Sequence, residues 1–296
     1  MLTGLSGCRC PQVLQGTRVW YQPDWQEDLG ELGLADMGNW RVPVDVLPVS
    51  KSKHVIACYR ITLTSGRIIY YKRYDYRTRW KAALRFWLRP SKAAIEKWGY
   101  QRYHDCGVEV PRTVAFGESR VMGLLRIAFI ITEELPDSVS LDSFVAAGLP
   151  GIPAAERVVQ MSAFAARLAD IIRKAHSASL FHYDLKWRNI LIQSREGEYY
   201  PVIIDCPRAF VSRLRRRYGI ITDLSALARL AVSYLTLNQR YQFLAASLGD
   251  AVDSSTRKDW YRRVQRRLDK RPPKLVKLQE SPLKGVRFDR NPEIPP

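Results

Sequence analysis

The sequence predicts an α+β chain of two lobes, a small strand-rich one followed by a larger, mainly helical one. Three observations carry that expectation. Up to about residue 135, β-branched and aromatic residues fall in short runs parted by turn residues. Beyond Ala154 the apolar spacing changes to that of helices. The length, 296 residues, is near the upper limit for a single core. The expected divisions are an N-terminal extension over 1–45, a first lobe over 46–135, a second over 136–272 and a Pro-rich basic tail over 273–296.

In chain order, residues 1–45 mix aromatics, Gly and Pro, with one short helix expected over 25–37. "HVIACYRITLT" and "RIIYYKRYDY" are β-rich and separated by "SGR", which predicts a hairpin over 54–76. Residues 76–103 look helical and very basic. "PRTVAFGES" and "LLRIAFIITEEL" predict two further strands, and "PDSVSLDSF" breaks the pattern. From 154 to 178 the apolar positions Val158, Met161, Ala165, Leu168, Ile172 and Ala175 mark a long buried helix. "NILIQ" and "PVIIDC" are short strands, residues 222–237 a helix, and "RKDWYRRVQRRLDKRPPK" a basic helix running into a Pro-rich tail that is expected to pack poorly.

Lys and Arg outnumber Asp and Glu by 47 to 29, a formal charge of +18, so the expected partner is anionic. The five cysteines (Cys8, Cys10, Cys58, Cys106, Cys206) are odd in number and lack metal-ligand spacing, which argues against a disulfide framework or zinc site and for a reducing cytosol. Residues 5–8 resemble a lipoprotein cleavage box but lack the basic segment that precedes one. No run approaches the ~20 apolar residues of a membrane span. Any membrane contact is expected to be peripheral.

The chemistry is concentrated in "FHYDLKWRNILI", residues 181–192. Phosphoryl transfer needs a carboxylate to orient the attacking hydroxyl, oxygen ligands for Mg2+ and a cation on the phosphates. Asp184 and Asn189 stand five apart on a loop between helix and strand, as in the His-x-Asp-Leu-x-x-x-x-Asn loop of the kinase superfamily. His182 is expected to support that loop. Asp205 ends the next strand, so the Asn189 amide oxygen and the Asp205 carboxylate could share a metal, leaving Asp184 to the acceptor hydroxyl. Lys186 could reach the transferring phosphate. Upstream, Lys72 lies within a strand, the placement of a lysine aimed at α/β-phosphates, with Glu96 its best ion-pair partner.

"RIIYYKRY", "AIEKWGYQRYHDCGVEVPRTVAFGE", "FIITEEL", "FHYDLKWRNILI", "VIIDC" and "ITDLSALARL" together resemble the lipopolysaccharide-core kinase family, over most of residues 50–240. The resemblance implies a protein-kinase-like bilobal fold, ATP and Mg2+ as cofactors, and phosphorylation of a Kdo or heptose hydroxyl. It implies that Lys72 binds phosphate, Glu96 pairs with it, Asp184 is the catalytic aspartate, and Asn189 and Asp205 hold metal. It also places adenine against the backbone near Glu133 and Leu135, and makes Asp223 the aspartate that props up the catalytic loop. The expected partners are lipopolysaccharide core and lipid A glycolipid and an anionic membrane surface, at the cytoplasmic face of the inner membrane; no nucleic acid is expected. Where a Gly-rich phosphate loop belongs the chain reads "PVSKSKHV", so phosphates would lean on Ser50, Lys51 or Lys53. Cys206 and Pro207 follow Asp205, and Pro fixes φ; no freely flipping segment is expected there.

Arg208, Arg213, Arg215, Arg216 and Arg217 follow Asp205, and Arg binds carboxylate and phosphate bidentately, so these are candidates for acceptor binding. Arg262, Arg263, Arg266, Arg267 and Lys270 share one helical face, with Trp260, Val264 and Leu268 on another. That helix either docks on an anionic leaflet or packs on the second lobe with its basic side in water. Two other readings stay open: a kinase of a protein or small-molecule acceptor, and a catalytically inactive scaffold.

Overall fold

The computed structural model describes residues 15–33, 40, 46–52, 56–249, 253–270, 272, 273, 275, 276 and 280–287. The chain divides into two units, Met1–Gln101 with Pro111–Glu134, and Arg102–Val110 with Leu135–Pro296.

The first unit contains β1 (Gln15–Tyr21), α1 (Gln26–Glu31), β2 (Pro48–Ser52), β3 (Ile56–Thr62), β4 (Ile68–Asp75), α2 (Trp80–Leu84), most of α3 (Lys92–Asp105), β5 (Thr113–Val121) and β6 (Leu124–Glu133). The strands form one sheet in the order β1-β5-β6-β4-β3-β2, with all neighbours antiparallel. Alternate residues face opposite sides. Ile61, Ile69, Tyr71, Val114, Phe129 and Ile131 build the core on one side with Trp25 and Leu29, while Lys72 and Tyr74 of β4 belong to the other set. Each large apolar side chain fully buried here contributes roughly 2–3 kcal/mol. Gly117 pairs with Phe129 across β5 and β6, and a Cβ on Gly117 would lie 2.2 Å from the Phe129 ring. Only glycine lets that ring lie flat over the neighbouring strand.

Two expectations are corrected in this unit. Residues 15–31, expected in an extension outside the lobe, supply β1, which pairs with β5, and the core residues Trp25 and Leu29. The expected helix over 76–103 is broken into α2 and α3. Pro90 disfavours helical geometry at Arg89, Leu88 takes φ +54°, and Ser91 restarts the helix, its Oγ accepting from the Ala94 N–H at 3.1 Å.

The second unit contains the end of α3, β7 (Ser138–Ser140), α4 (Leu141–Ala146), α5 (Arg157–Ser177), β8 (Leu180–Phe181), β9 (Ile190–Arg195), β10 (Glu198–Ile203), β11 (Phe210–Val211), α6 (Arg216–Tyr234), α7 (Leu237–Leu248) and α8 (Ser254–Asp269). α5 buries Met161, Phe164, Ala165, Leu168, Ile172 and Ala175 and packs on α7 and β10, while α6 packs on α8. α7 has a clear start in the sequence: Thr236 Oγ1 accepts from the Gln239 N–H, and the Gln239 side chain accepts from the Thr236 N–H. The tail is not loose where it is described. Leu283 and Val286 are buried, and their carbonyls accept from Gln239 Nε2 at 3.0 and 2.8 Å. α8 buries Val264 and Leu268, so its apolar face is spent on the unit, while Arg262 and Arg266 stay exposed and Arg257, Arg263 and Arg267 are half-buried.

Candidate active site

In the first unit the centre is the Lys72 ammonium. β4 holds Lys72 between Cys58 of β3 and Ile130 of β6, and α3 brings Glu96 to it, with Nζ 3.1 and 3.0 Å from the two carboxylate oxygens. Glu96 is 2% exposed. A carboxylate so deeply buried needs several donors, and it has them: Tyr74 Oη donates to Oε2 at 3.0 Å and Tyr100 Oη to Oε1 at 3.1 Å. Neither tyrosine was singled out from the sequence, although Tyr74 lies two residues from Lys72 on the same strand face and Tyr100 one helical turn from Glu96. The cradle fixes a cation at the middle of a sheet, where a lone lysine would swing freely.

Of the residues expected to meet nucleotide, Lys53 lies outside the described residues, as does the turn between β2 and β3. Ser50 pairs with Cys58 within the β2–β3 ladder. The Glu133 N–H donates to Arg112 O at 3.0 Å. The Leu135 carbonyl accepts from Ser138 Oγ at 2.7 Å.

In the second unit two short ladders shape the Asp184 loop. β8 pairs with β11, and β9 with β10. Ile190 opens β9 opposite Ile203, and the Ile204 N–H donates to Asn189 O at 3.0 Å. Asn189 and Asp205 therefore lie just beyond the same end of one ladder. Asn189 is buried, and its Nδ2 donates to Asp184 O at 2.8 Å, which orients the amide and turns its oxygen away from that carbonyl. An amide oxygen and a carboxylate are hard-oxygen donors of the kind that suits Mg2+. Among the described residues no cluster of three or more His, Cys, Asp or Glu could hold a metal. Lys186 Nζ is 2.6 Å from Asp184 Oδ1, with the carboxylate a quarter exposed.

Beneath the loop lies Asp223, 1% exposed on α6. Its Oδ1 accepts from the Tyr183 N–H at 2.7 Å, and its Oδ2 from the His182 N–H at 3.0 Å, with His176 Nε2 at 3.2 Å. Tyr183 sits at φ +68°, a conformation costing about 1–2 kcal/mol for a residue with a Cβ, and the Asp223 carboxylate holds it there. His182 is fully buried. Its Nδ1 accepts from the Asp184 N–H at 3.3 Å and its Nε2 lies 3.0 Å from Ile204 O, so the proton is on Nε2 and the ring ties the Asp184 loop to the strand leading into Asp205. Tyr103, at the end of α3, packs against this ring; burial and the nearby Asp223 carboxylate push its phenol well above its ordinary range. Gly219 of α6 is required by close approach, since a Cβ there would lie 2.4 Å from the Phe181 ring. Asp205 itself takes φ +57° and Cys206 behind it is fully buried.

All five expected acceptor arginines are exposed. Arg208 lies over the Tyr183 ring at 5.0 Å, Arg216 donates to His176 O, and Arg217 pairs with Asp259 of α8 at 2.8 Å. Among the described residues the guanidinium groups of Arg213 and Arg215 have no hydrogen-bond or ion-pair partner.

The family described as "Lipopolysaccharide kinase (Kdo/WaaP) family" matches residues 52–262, well over half the chain. Two curated relatives, each a "Lipopolysaccharide core heptose(I) kinase WaaP", one from Escherichia coli (strain K12) and one from Escherichia coli, are each 33% identical over 135 residues. The match takes in 44% of this chain and 50% of each relative, so the chain spans about half the length of the curated relatives it matches. A solved structure, "WaaP in complex with acyl carrier protein", superposes with a TM-score of 0.59 at 20% identity, over 86% of this chain and 98% of that one. At that identity the likeness establishes the fold: protein-kinase-like, with a β-sheet N-terminal unit and a mainly helical C-terminal unit.

Proposed function

The chain belongs to the lipopolysaccharide kinase (Kdo/WaaP) family, and from that premise we propose that it transfers the γ-phosphate of ATP to a Kdo or heptose hydroxyl of the lipopolysaccharide inner core. The observation that carries the reading is the backbone bond from Ile204 to Asn189. It brings the backbone of Asn189 against the strand end that leads into Asp205, at the foot of the loop that bears Asp184.

In this reading Lys72, held by Glu96, neutralises the α/β-phosphates, and the backbone near Glu133 and Leu135 receives the adenine. Lys53, Ser50 and Lys51 stand where a phosphate loop belongs. Asp184 accepts a hydrogen bond from the acceptor hydroxyl and takes its proton as the oxygen–γ-phosphorus bond forms and the bond to the β-phosphate oxygen breaks, releasing ADP. Lys186, ion-paired to Asp184, keeps a positive charge beside the transferring group. Asn189 and Asp205 would hold Mg2+, which when bound screens charge on the phosphate oxygens. Arg213 and Arg215 offer their forks to acidic groups of the core, with Arg208, Arg216 and Arg217 around them, and His182 and Asp223 keep the loop in place. The acceptor glycolipid places the enzyme at the cytoplasmic face of the inner membrane; among the described residues no helix is long and apolar enough to cross a membrane.

Asp184→Asn tests the assignment. Transfer of labelled phosphate to core glycolipid should fall about 10³-fold, with the melting temperature little changed. Transfer at the wild-type rate would refute the role. Mass spectrometry of lipopolysaccharide core from cells with and without the chain identifies the sugar and the hydroxyl.

A further inference from the structure

Between Asp75 and Glu96 the chain carries six cations (Arg77, Arg79, Lys81, Arg85, Arg89, Lys92) and no carboxylate. Interleaved with them, Trp80, Leu84, Trp87 and Leu88 recur at i, i+4, i+7 and i+8, the spacing of a stripe that packs into a core. Here the stripe faces out: the four residues are 62%, 48%, 52% and 45% exposed. The segment is nevertheless fixed. Ala83 is buried, the Phe86 ring packs on Tyr76 at 5.3 Å, and one buried guanidinium pins the rest. Arg120, paired with Glu118, donates to Phe86 O at 2.9 Å, Gly123 O at 3.1 Å and Arg89 O at 2.7 Å. The same fork thereby ties the turn between β5 and β6 to this segment, and that turn exposes Val121 and Met122, the latter 75%.

We propose that residues 77–89, with Val121 and Met122, form the surface by which the protein docks on an anionic membrane. Two tryptophans, two leucines and a methionine on one rigid patch suit the headgroup and upper acyl region, where amphipathic rings settle. The surrounding cations add electrostatic attraction to acidic lipid, about fivefold in affinity for each charge near the surface. A second copy is a poor occupant, because a symmetric contact would set two such cationic patches against each other. α8 is the internal contrast. It carries six cations with two aspartates among them, but Val264 and Leu268 are buried, so it has no apolar stripe left to insert. The inference deepens the proposed action on a membrane-held glycolipid and rests on that reading for its purpose. Its test uses neither nucleotide nor lipopolysaccharide, so the two fail separately.

The full chain is sedimented with vesicles of phosphatidylcholine, alone or mixed with phosphatidylglycerol, and its fluorescence is read with brominated acyl chains as quencher. The wild type should partition onto the mixed vesicles and be quenched by them. Trp80→Ser with Trp87→Ser should lower partitioning at least about tenfold and remove most of the quenching, and Arg79→Gln with Arg85→Gln should lower it by a similar factor. Arg262→Gln with Arg266→Gln, on α8, should change it far less. All replaced side chains are exposed, so thermal melts of the variants should match the wild type. Wild-type protein that ignores anionic vesicles, a tryptophan pair that can be replaced without loss, or α8 variants that lose as much as the patch variants would each overturn the proposal. So would patch variants that dissociate an oligomer while binding vesicles normally.

Discussion

Two buried carboxylates, one in each unit, anchor candidate functional residues, and they are satisfied in opposite ways. Glu96 takes its hydrogen bonds from side chains, the ammonium of Lys72 and the hydroxyls of Tyr74 and Tyr100. Asp223 takes two of its bonds from backbone, the N–H groups of His182 and Tyr183, and a third from His176. The first arrangement places a charge; the second dictates the path of the chain. A side-chain cradle can be edited one atom at a time while the fold remains. A backbone cradle cannot be replaced from within the loop, because the donors are the loop itself, and one of them belongs to a residue at φ +68°.

The largest effect should therefore come from Asp223→Ala. It strands two buried N–H groups and a histidine and releases the strain at Tyr183, so urea unfolding should show a loss of about 3–5 kcal/mol. Asp223→Asn keeps one acceptor oxygen and should lose distinctly less. Glu96→Gln comes next. The amide removes the Glu96 charge from beside the Lys72 ammonium but fills the same space, for a loss of about 1–3 kcal/mol. Its sharper signature is in ligand response: Mg-ATP at a hundred times its Kd should add about 2.7 kcal/mol to the wild type, and less to the variant at the same concentration. If Glu96→Gln destabilises the apo protein more than Asp223→Ala does, the contrast between the two cradles is wrong.

The same contrast explains what the sequence could reveal. Lys72, Glu96, Asp184, Asn189 and Asp205 stand out in the sequence because the roles proposed for them need particular side chains at particular spacings. The Asp223 cradle was readable only through family resemblance, since every non-proline residue has an N–H and nothing in "HY" announces that two of them will converge on one carboxylate. Strands β3 to β6 were legible from alternation and from the turns between them. β1 was not, because its partner β5 is about a hundred residues away and local pattern carries no record of non-local pairing. The break between α2 and α3 was written in Pro90, and the start of α7 in Thr236 and Gln239; both signals are local, and both were outweighed by the helical look of their surroundings. The stripe from Trp80 to Leu88 misleads in the other direction. Its spacing reads as core, and only the packing of Ala83 and Phe86 reveals that the opposite face is the one buried.

The smallest and most discriminating effect lies within the Glu96 cradle. Tyr74→Phe and Tyr100→Phe each remove one hydroxyl donor from the same carboxylate, at 3.0 and 3.1 Å, for roughly 1.5 kcal/mol each as bonds to a charged acceptor. They share that acceptor and so should not be independent: with one hydroxyl gone, the other carries more of the carboxylate's charge, and its loss should cost more. The double variant is expected to exceed the sum of the single losses by about 0.5 kcal/mol or more in a urea-unfolding cycle. Strict additivity would mean that each hydroxyl acts by itself, and the cradle would then be three separate contacts on one carboxylate, with no collective hold on the position of Lys72.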